Sequence, residues 1–198
     1  MKIKIIGDVH GMAGAHKVLM DHNPMTLQLG DCGFKYDYLL KYDPLCHKVL
    51  AGNHDNYDEL NKWAHNLGDY GVWNNIFFVR GAYSVDVRYR TIGIDWWANE
   101  ELNYEEGIFA IEFYQKTLPN YVVTHDCPNV IRDLLLSQDG PTEWGVVNSR
   151  TGEILDRMFE IHKPKIWIFG HWHRSKNFTY KGTRFICLNE LEIYTLET

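Results

Sequence analysis

The sequence lacks the features that mark disulfide-rich, membrane-spanning or nucleic-acid-coating proteins. Its 198 residues include only four cysteines and no Cys-x-x-Cys pair, which suits a reducing compartment and does not resemble a disulfide framework. No uninterrupted apolar run approaches the length of a transmembrane helix. The formal net charge is −6 and no long block of like charge occurs, so binding to extended nucleic acid is not expected.

The first residues also lack the pattern of a secretory signal. The apolar run over residues 2–6 gives way to Gly7 and Asp8, which is too early for the apolar core of a signal peptide. We therefore expect a cytoplasmic protein with no membrane association. Hydrophobic residues make up 45% and charged residues 23%, which is a globular composition, and the length predicts a single domain over residues 1–198.

What the sequence does have is a repeated order of strand, glycine turn and helical or polar segment. Short apolar runs at residues 2–6, 26–29 and 47–50 each lead into a glycine and then a polar residue, and an amphipathic stretch follows the first run. This alternation predicts parallel β-α-β units and therefore an α/β fold.

The middle and the end of the chain predict a second sheet. Strand-like segments at residues 76–79, 82–87 and 89–94, broken by Gly81 and Gly93, indicate hairpins. Apolar residues at helical spacing predict a helix over residues 104–118 that Pro119 ends. Further strands are predicted at residues 121–124, 165–169, 177–188 (around Gly182) and 191–196.

Five of the predicted strands end in residues that can bind a metal ion or a phosphate. These residues are Asp8 with His10, Asp31, Asn53, His125, and His171 with His173. They fall at the edge where open α/β sheets bind ligands. Within each pair the two residues are two positions apart, so an extended backbone would turn both towards one metal cluster. The oxygen and nitrogen donors exclude a thiolate zinc site, and a carboxylate such as Asp31 can bridge two cations.

Glycines flank nearly all of these candidate ligands and allow tight turns and close backbone approach. The motifs formed in this way are, in chain order, Gly7-Asp8-Val9-His10-Gly11, Gly30-Asp31, Gly52-Asn53-His54-Asp55, Thr124-His125 and Gly170-His171-Trp172-His173. Together they resemble the five signatures of the calcineurin-like metallophosphoesterase superfamily. The resemblance runs from residue 7 to residue 173. It implies a four-layer α-β-β-α sandwich, in which helices flank two mixed β-sheets and the metal site lies at the carboxyl ends of the strands.

The resemblance also implies a division of the ligands between two divalent metal ions. Asp8, His10, Asp31 and His173 would hold one ion, and Asp31, Asn53, His125 and His171 would hold the other, with Asp31 as the bridge. Two cations roughly 3.5 to 4 Å apart could share a hydroxide that attacks phosphorus in line. Manganese or iron is the expected metal, with zinc, cobalt and nickel as alternatives.

The family places a catalytic histidine at the position of His54, where it acts as a general acid or stabilises the transition state. An aspartate in the second motif usually orients that histidine, but Phe34 stands at its position here. Asp55, the second catalytic candidate, or Asp37 could serve instead, because an imidazole needs an acceptor to fix its tautomer. The sequence does not choose between them.

The segment from Arg80 to Glu101 is similar to small bacterial and phage metallophosphoesterases. In it, Arg88 and Arg90 are candidates to clamp a phosphate, and Trp96 or Trp97 is a candidate to stack on a base. The alternative is that the arginines pair with acidic residues such as Asp86 and that the tryptophans belong to the core.

These observations predict a metal-dependent phosphoric ester hydrolase that acts on a small or nucleotide-like phosphomonoester or phosphodiester. A serine/threonine protein phosphatase is the first alternative, disfavoured because the chain lacks the arginine and glutamate of those motifs. A non-catalytic metal-binding scaffold of the same fold is the second. A nuclease is the third, and the net acidity counts against it.

Overall fold

The computed structural model describes residues 1–137 and 149–198, which form two β-sheets with helices on their outer faces. The strands are β1 (Lys2–Ile6), β2 (Thr26–Gln28), β3 (His47–Val49), β4 (Tyr70–Trp73), β5 (Ile76–Val79), β6 (Tyr121–Thr124), β7 (Ile166–Phe169), β8 (Lys176–Tyr180), β9 (Thr183–Cys187) and β10 (Ile193–Glu197). The helices are α1 (Ala13–Asp21), α2 (Tyr57–Leu60), α3 (Tyr104–Thr117), α4 (Asn129–Ser137) and α5 (Arg150–Ile161), and short 3-10 helices cover Asp37–Lys41 and Val87–Tyr89.

Both sheets mix parallel and antiparallel strands. The smaller has the order β10-β1-β2-β3, in which β1, β2 and β3 are parallel and β10 is antiparallel to β1. The larger has the order β4-β5-β6-β7-β9-β8, with four parallel central strands and an antiparallel strand at each edge. Parallel pairing therefore gathers the carboxyl ends of β1, β2 and β3 at one edge, and those of β6 and β7 at one edge of the other sheet.

Alternation of side chains along the strands builds two of the three core layers. Ile3 and Ile5 of β1 face the other sheet and pack against Ile168 of β7. The next residue back in β7, Trp167, points to the opposite face and packs beneath α3, α4 and α5, where it meets Leu155. The larger sheet is thus buried on both faces, which explains its nearly continuous apolar strands.

The outer face of the smaller sheet forms the third core layer. Val49 of β3 and Ala51 just beyond it pack against Met20 of α1, Leu39 and Tyr57. Helical segments therefore cover the outer face of each sheet, and the four-layer α-β-β-α arrangement of two mixed sheets is confirmed. Among the helices of the described residues, none combines the length and apolarity needed to cross a bilayer.

The predicted helix over residues 104–118 is confirmed as α3. Its start is fixed by a capping box in which Asn103 and Glu106 bond each other's backbone N–H groups. Leu118 adopts a left-handed conformation at its end, and Pro119 prevents continuation. The predicted strand over residues 177–188 is interrupted at Gly182 and forms the hairpin of β8 and β9.

The strands predicted over residues 82–87 and 89–94 are wrong. The hairpin partner of β5 is β4, which precedes it, and residues 82–96 form an irregular loop with one 3-10 turn. Backbone N–H groups in this loop donate to carbonyl oxygens of the same loop, as Val87 does to Ser84, or to side chains, as Ser84 does to Glu100. Helices α4 and α5 have no counterpart among the predicted elements.

Candidate metal centre

The candidate ligands leave five different strands and converge where the two sheets meet. Asp8, Asp31, Asn53 and His125 are almost completely buried, with exposed fractions of 0% to 2%. His173, at the other extreme, is exposed. The cluster therefore has a buried floor and an open side, which is the form that a site for an entering ligand requires.

The first group of ligand atoms contains Asp8, His10, Asp31 and His173, whose donor atoms all lie within 4.8 Å of one another. Nε2 of His173 lies 3.1 Å from Oδ2 of Asp8 and 2.8 Å from Nε2 of His10. Oδ2 of Asp31 lies 3.7 Å from Nε2 of His10. Two carboxylates and two imidazoles thus face a common point.

The second group contains Asp31, His125 and His171, again with all donor atoms within 4.8 Å. Nε2 of His125 lies 3.2 Å from Oδ1 of Asp31 and 3.0 Å from the amide oxygen of Asn53. Asp31 therefore belongs to both groups, as a bridging ligand must, with Oδ2 beside His10 and Oδ1 beside His125. The mixed oxygen and nitrogen donors of the two groups fit a pair of divalent cations.

The backbone at four candidate ligands is left-handed. The φ angles are 45° at His10, 56° at Asp31, 62° at His171 and 49° at His173. Such angles are uncommon outside glycine and concentrate at functional sites. The paired ligands do converge as predicted, but the extended backbone assumed for them is wrong, because a sharp turn at each strand end directs the side chains.

Glycine is required at two positions because ligand carboxylates lie where a Cβ atom would stand. A Cβ at Gly170 would collide with Oδ1 of Asp8, and a Cβ at Gly52 would collide with Oδ1 of Asp31. The carboxylates are also held by backbone donors: the N–H of His171 lies 3.0 Å from Oδ2 of Asp8, and the N–H of His54 lies 2.7 Å from Oδ1 of Asp31. The floor of the site is therefore pre-organised.

Charge is balanced within the cluster by imidazoles beside the two carboxylates. Burial alone would raise the pKa of Asp31, but His125 holds it well below its usual range. Burial disfavours the charged ring of His125, yet Asp31 and Asp8 raise the pKa of His125 to about 10. The site thus stabilises positive charge between its carboxylates, whether a proton or a metal ion supplies it.

Asn53 is oriented by residues outside the five motifs, in the segment from Arg80 to Glu101. Its Nδ2 donates to Oγ of Ser84 at 3.2 Å, and Ser84 donates to Glu100 at 2.6 Å. A further residue outside the five motifs, Glu190, lies close to a different ligand, 3.8 Å from Nδ1 of His173. Their proximity to the ligands arises only from the tertiary fold, so spacing along the sequence could not have identified them.

His54 is half-buried beside the first group, with its ring centroid 5.2 Å from that of His10. Neither expected carboxylate orients it. Asp55 is fully buried and accepts hydrogen bonds from Tyr36, at 3.0 Å, and from the backbone N–H groups of residues 33 and 52. Asp37 is exposed. Asp55 instead connects the loops of the second and third motifs. Its burial, and the negative charge of nearby Asp31, raise the pKa of Asp55 to about 7.

The ring nitrogens of His54 are in contact with the side chain of Arg90. Nη2 of Arg90 lies 2.6 Å from both ring nitrogens of His54. Asp86 binds the same guanidinium through two contacts, of 2.7 and 2.8 Å. Burial lowers the pKa of His54 to about 4, with Arg90 acting in the same direction and Asp31 against it.

The other two predicted substrate-binding residues lie elsewhere. Arg88 is exposed, and its guanidinium lies over the ring of Tyr89 at 4.7 Å. Trp97 is only 5% exposed, donates to Asp58 at 3.1 Å and packs 5.5 Å from Phe34. The burial of Trp97 in the core corrects the stacking interpretation for that residue. Of Arg88, Arg90 and Trp97, only Arg90 reaches the cluster.

A cavity of about 310 Å³ opens over the ligands. It is lined at its base by Asp31, Asn53, His54, His171 and His173, and on its walls by Val85, Asp86, Leu136, Trp172 and Arg174. This volume is at the lower end of small-molecule sites. The site could therefore enclose a phosphate group with a small organic substituent.

The fold and the ligand set define a metallophosphoesterase-like protein, and comparison with known families agrees. Residues 1–175 match the family model of calcineurin-like phosphoesterases, and the chain belongs to that family. A search of curated protein sequences finds no match.

Two of the solved structures that are similar to the chain illustrate the likeness. One is described as GAP50, the anchor in the inner membrane complex of Plasmodium: it has 9% identity and a TM-score of 0.51, over 95% of this chain and 71% of that one. At this identity the likeness concerns the fold alone. The other is the phosphopantetheinyl hydrolase PptH of Mycobacterium tuberculosis, with 12% identity and a TM-score of 0.47 over 96% of this chain and 89% of that one.

Proposed function

We propose that the protein hydrolyses a small or nucleotide-like phosphate monoester or diester with the help of two divalent cations. The observation that carries the proposal is that Asp31 belongs to two groups of ligand atoms, and that both groups and His54 border the same cavity. Manganese or iron is the proposed metal, since carboxylate, amide and imidazole donors suit either.

Two bound cations would supply positive charge that neutralises the phosphoryl oxygens and lowers the pKa of water. The residues of the chain perform the remaining tasks. Asp31 is fixed by the backbone N–H of His54, so the shared carboxylate and the ring of His54 keep one relative position. From there His54 can donate a hydrogen bond to a phosphoryl oxygen or to the departing oxygen.

The size and walls of the cavity favour a small substrate. Val85, Leu136 and Trp172 offer apolar surface to an organic substituent. With a net charge of −6, a long polyanion would gain little from the rest of the surface. These features support a small ester over extended nucleic acid.

The test is a turnover assay on the protein after chelation and reconstitution with manganese. We expect hydrolysis of p-nitrophenyl phosphate or bis-p-nitrophenyl phosphate, and a loss on the order of a hundredfold in His54→Ala with the metal content unchanged. Asp31→Ala should lose metal and activity together. Arg157→Ala removes an exposed arginine paired with Glu160 and serves as the control.

Two results would replace the proposal. If the reconstituted protein holds its metals but turns over neither ester nor any cyclic nucleotide, a non-catalytic scaffold explains the site better. If a phosphopeptide is hydrolysed far faster than any small ester, the protein phosphatase alternative is correct.

A further inference from the structure

In the irregular loop after β5, a turn over residues 90–95 is stabilised by side-chain hydrogen bonds and places Arg90 beside the metal centre. Arg90 donates from Nη1 to the carbonyl oxygen of Asp95 at 2.9 Å, and the backbone N–H of Thr91 donates to the Asp95 carboxylate. On its other side the guanidinium is bound by Asp86. The Arg90 side chain is only 8% exposed although the loop lies at the surface.

These contacts leave Arg90 little capacity to clamp a phosphate. An arginine carries five N–H groups. Nε and Nη2 each donate one to Asp86, Nη1 donates one to Asp95, and Nη2 directs its remaining N–H at His54. A bidentate phosphate contact would have to displace either Asp86 or His54 from Nη2.

The contact with His54 is informative because guanidinium has donors and no acceptor. Nη2 is equally close to both ring nitrogens, so the guanidinium lies against the ring and singles out neither nitrogen. A carboxylate partner would instead accept a hydrogen bond from the ring. Arg90 thus restricts the orientation of the His54 ring.

We infer that Asp86 and Arg90 form a pair that positions the ring of His54, in a protein where Phe34 replaces the usual orienting carboxylate. The inference rests on the proposed function for its catalytic consequence. Asp86 holds the planar fork of Arg90 with two hydrogen bonds, and Arg90 in turn restricts the ring of His54. His54 is then held where it can donate a hydrogen bond to the substrate.

A double-mutant cycle on the manganese-loaded protein tests the pair. We expect Arg90→Ala to lower kcat on the order of tenfold, while KM and the affinity for inorganic phosphate change by less than about twofold. In the His54→Ala background the same change should cost almost nothing further, because its effect passes through the missing ring. Asp86→Asn should lower kcat in the same non-additive way, and the surface variant Arg157→Ala should not.

The opposite pattern overturns the inference. A marked fall in phosphate affinity in Arg90→Ala, or full additivity with His54→Ala, would mean that Arg90 contacts substrate directly or acts independently. Metal content and the melting temperature identify a variant that fails to fold. In that case Arg90→Lys, which retains the charge but not the fork, takes its place in the cycle and is expected to recover only part of kcat.

A second readout does not depend on activity. Nitrogen-15 NMR of the His54 ring in the zinc-loaded protein should show one set of ring signals, and Arg90→Ala should shift or average them. If the wild type hydrolyses no ester but this NMR difference is present, the positioning pair stands and the proposed function fails. If turnover is present and Arg90→Ala changes neither kcat nor the NMR signals, the proposed function stands and the pair fails.

Discussion

The amide nitrogen of Asn53 lies 3.2 Å from Oγ of Ser84, and that hydroxyl donates to Oε2 of Glu100 at 2.6 Å. Because Ser84 accepts from the amide nitrogen, the amide oxygen of Asn53 must face the other way. It lies 3.0 Å from Nε2 of His125, on the side of the second ligand group. A chain of buried polar residues thus determines which atom of Asn53 is offered to a metal ion.

Ser84→Ala should therefore weaken one metal site and spare the other. Without the hydroxyl the amide of Asn53 loses its anchor, and changes of this kind cost on the order of tenfold or more in metal affinity. Calorimetric titration with Mn²⁺ should show one of the two binding events shifted to lower affinity and the other unchanged. Ser175→Ala, which removes an exposed serine bonded to Glu192 at 2.5 Å, is the matched control. Equal weakening of both events would contradict this account.

Gly170→Ala should damage the first ligand group. The new methyl group would occupy the place of Oδ1 of Asp8, so either the carboxylate or the turn after β7 must move. We expect a metal content close to one ion per chain instead of two, measured by elemental analysis. Gly14→Ala is the control, because its Cβ would meet no atom within 4 Å. In helix α1 that change should stabilise the protein by roughly 0.5–1 kcal/mol. Full metal occupancy in Gly170→Ala would show that the turn adapts.

Glu190→Gln should have a small effect that depends on salt. The carboxylate lies 3.9 Å from Nε2 of His10 and 3.8 Å from Nδ1 of His173, and its side chain is 43% exposed. A charge at this distance and exposure contributes weakly and is screened by ions. Metal affinity at low ionic strength should fall by a few fold, and the difference should vanish at high salt. Glu160→Gln on the surface of α5 is the control, and a salt-independent loss would instead indicate that Glu190 is itself a ligand.

The contrast between Asp31 and Arg90 shows how far the sequence reaches. The position of Asp31 could be predicted because a short apolar run followed by Gly30 defines a strand end locally, and parallel strands bring their ends together. The left-handed backbone that orients the Asp31 side chain could not be predicted, because close contacts with other loops determine that conformation. Phe34 correctly indicates a missing partner for His54. Arg90, which contacts His54 instead, lies in a loop with several apolar residues, including exposed Ile92 and Ile94. Their spacing resembles that of a strand, so the sequence pattern predicted a strand where the structure has a loop.

The metal-free protein should lose stability as the pH rises above neutrality. Asp31 raises the pKa of His125 from 6.5 to about 10 despite the burial of the ring. The contribution of protonated His125 to folding stability is therefore complete below pH 6.5 and is lost as the pH rises through about 10. Burial raises the pKa of Asp55 and of Glu100 to about 7. The stability that is lost when these two carboxyls ionise is therefore largely gone below the pH range in which His125 loses its proton. The melting temperature of chelated protein should therefore fall between about pH 7.5 and pH 10. With Mn²⁺ bound, the cation replaces the proton and the fall should be smaller.

Asp31→Asn separates the His125 contribution from lysines and tyrosines that also titrate at high pH. Without the carboxylate the pKa of His125 loses its main support, so metal-free Asp31→Asn should show a much shallower fall than the metal-free wild type over the same range. Differential scanning calorimetry at several pH values supplies the comparison. Parallel curves for the two metal-free proteins would mean that Asp31 does not hold a proton on His125, and that the buried carboxylate is balanced in some other way.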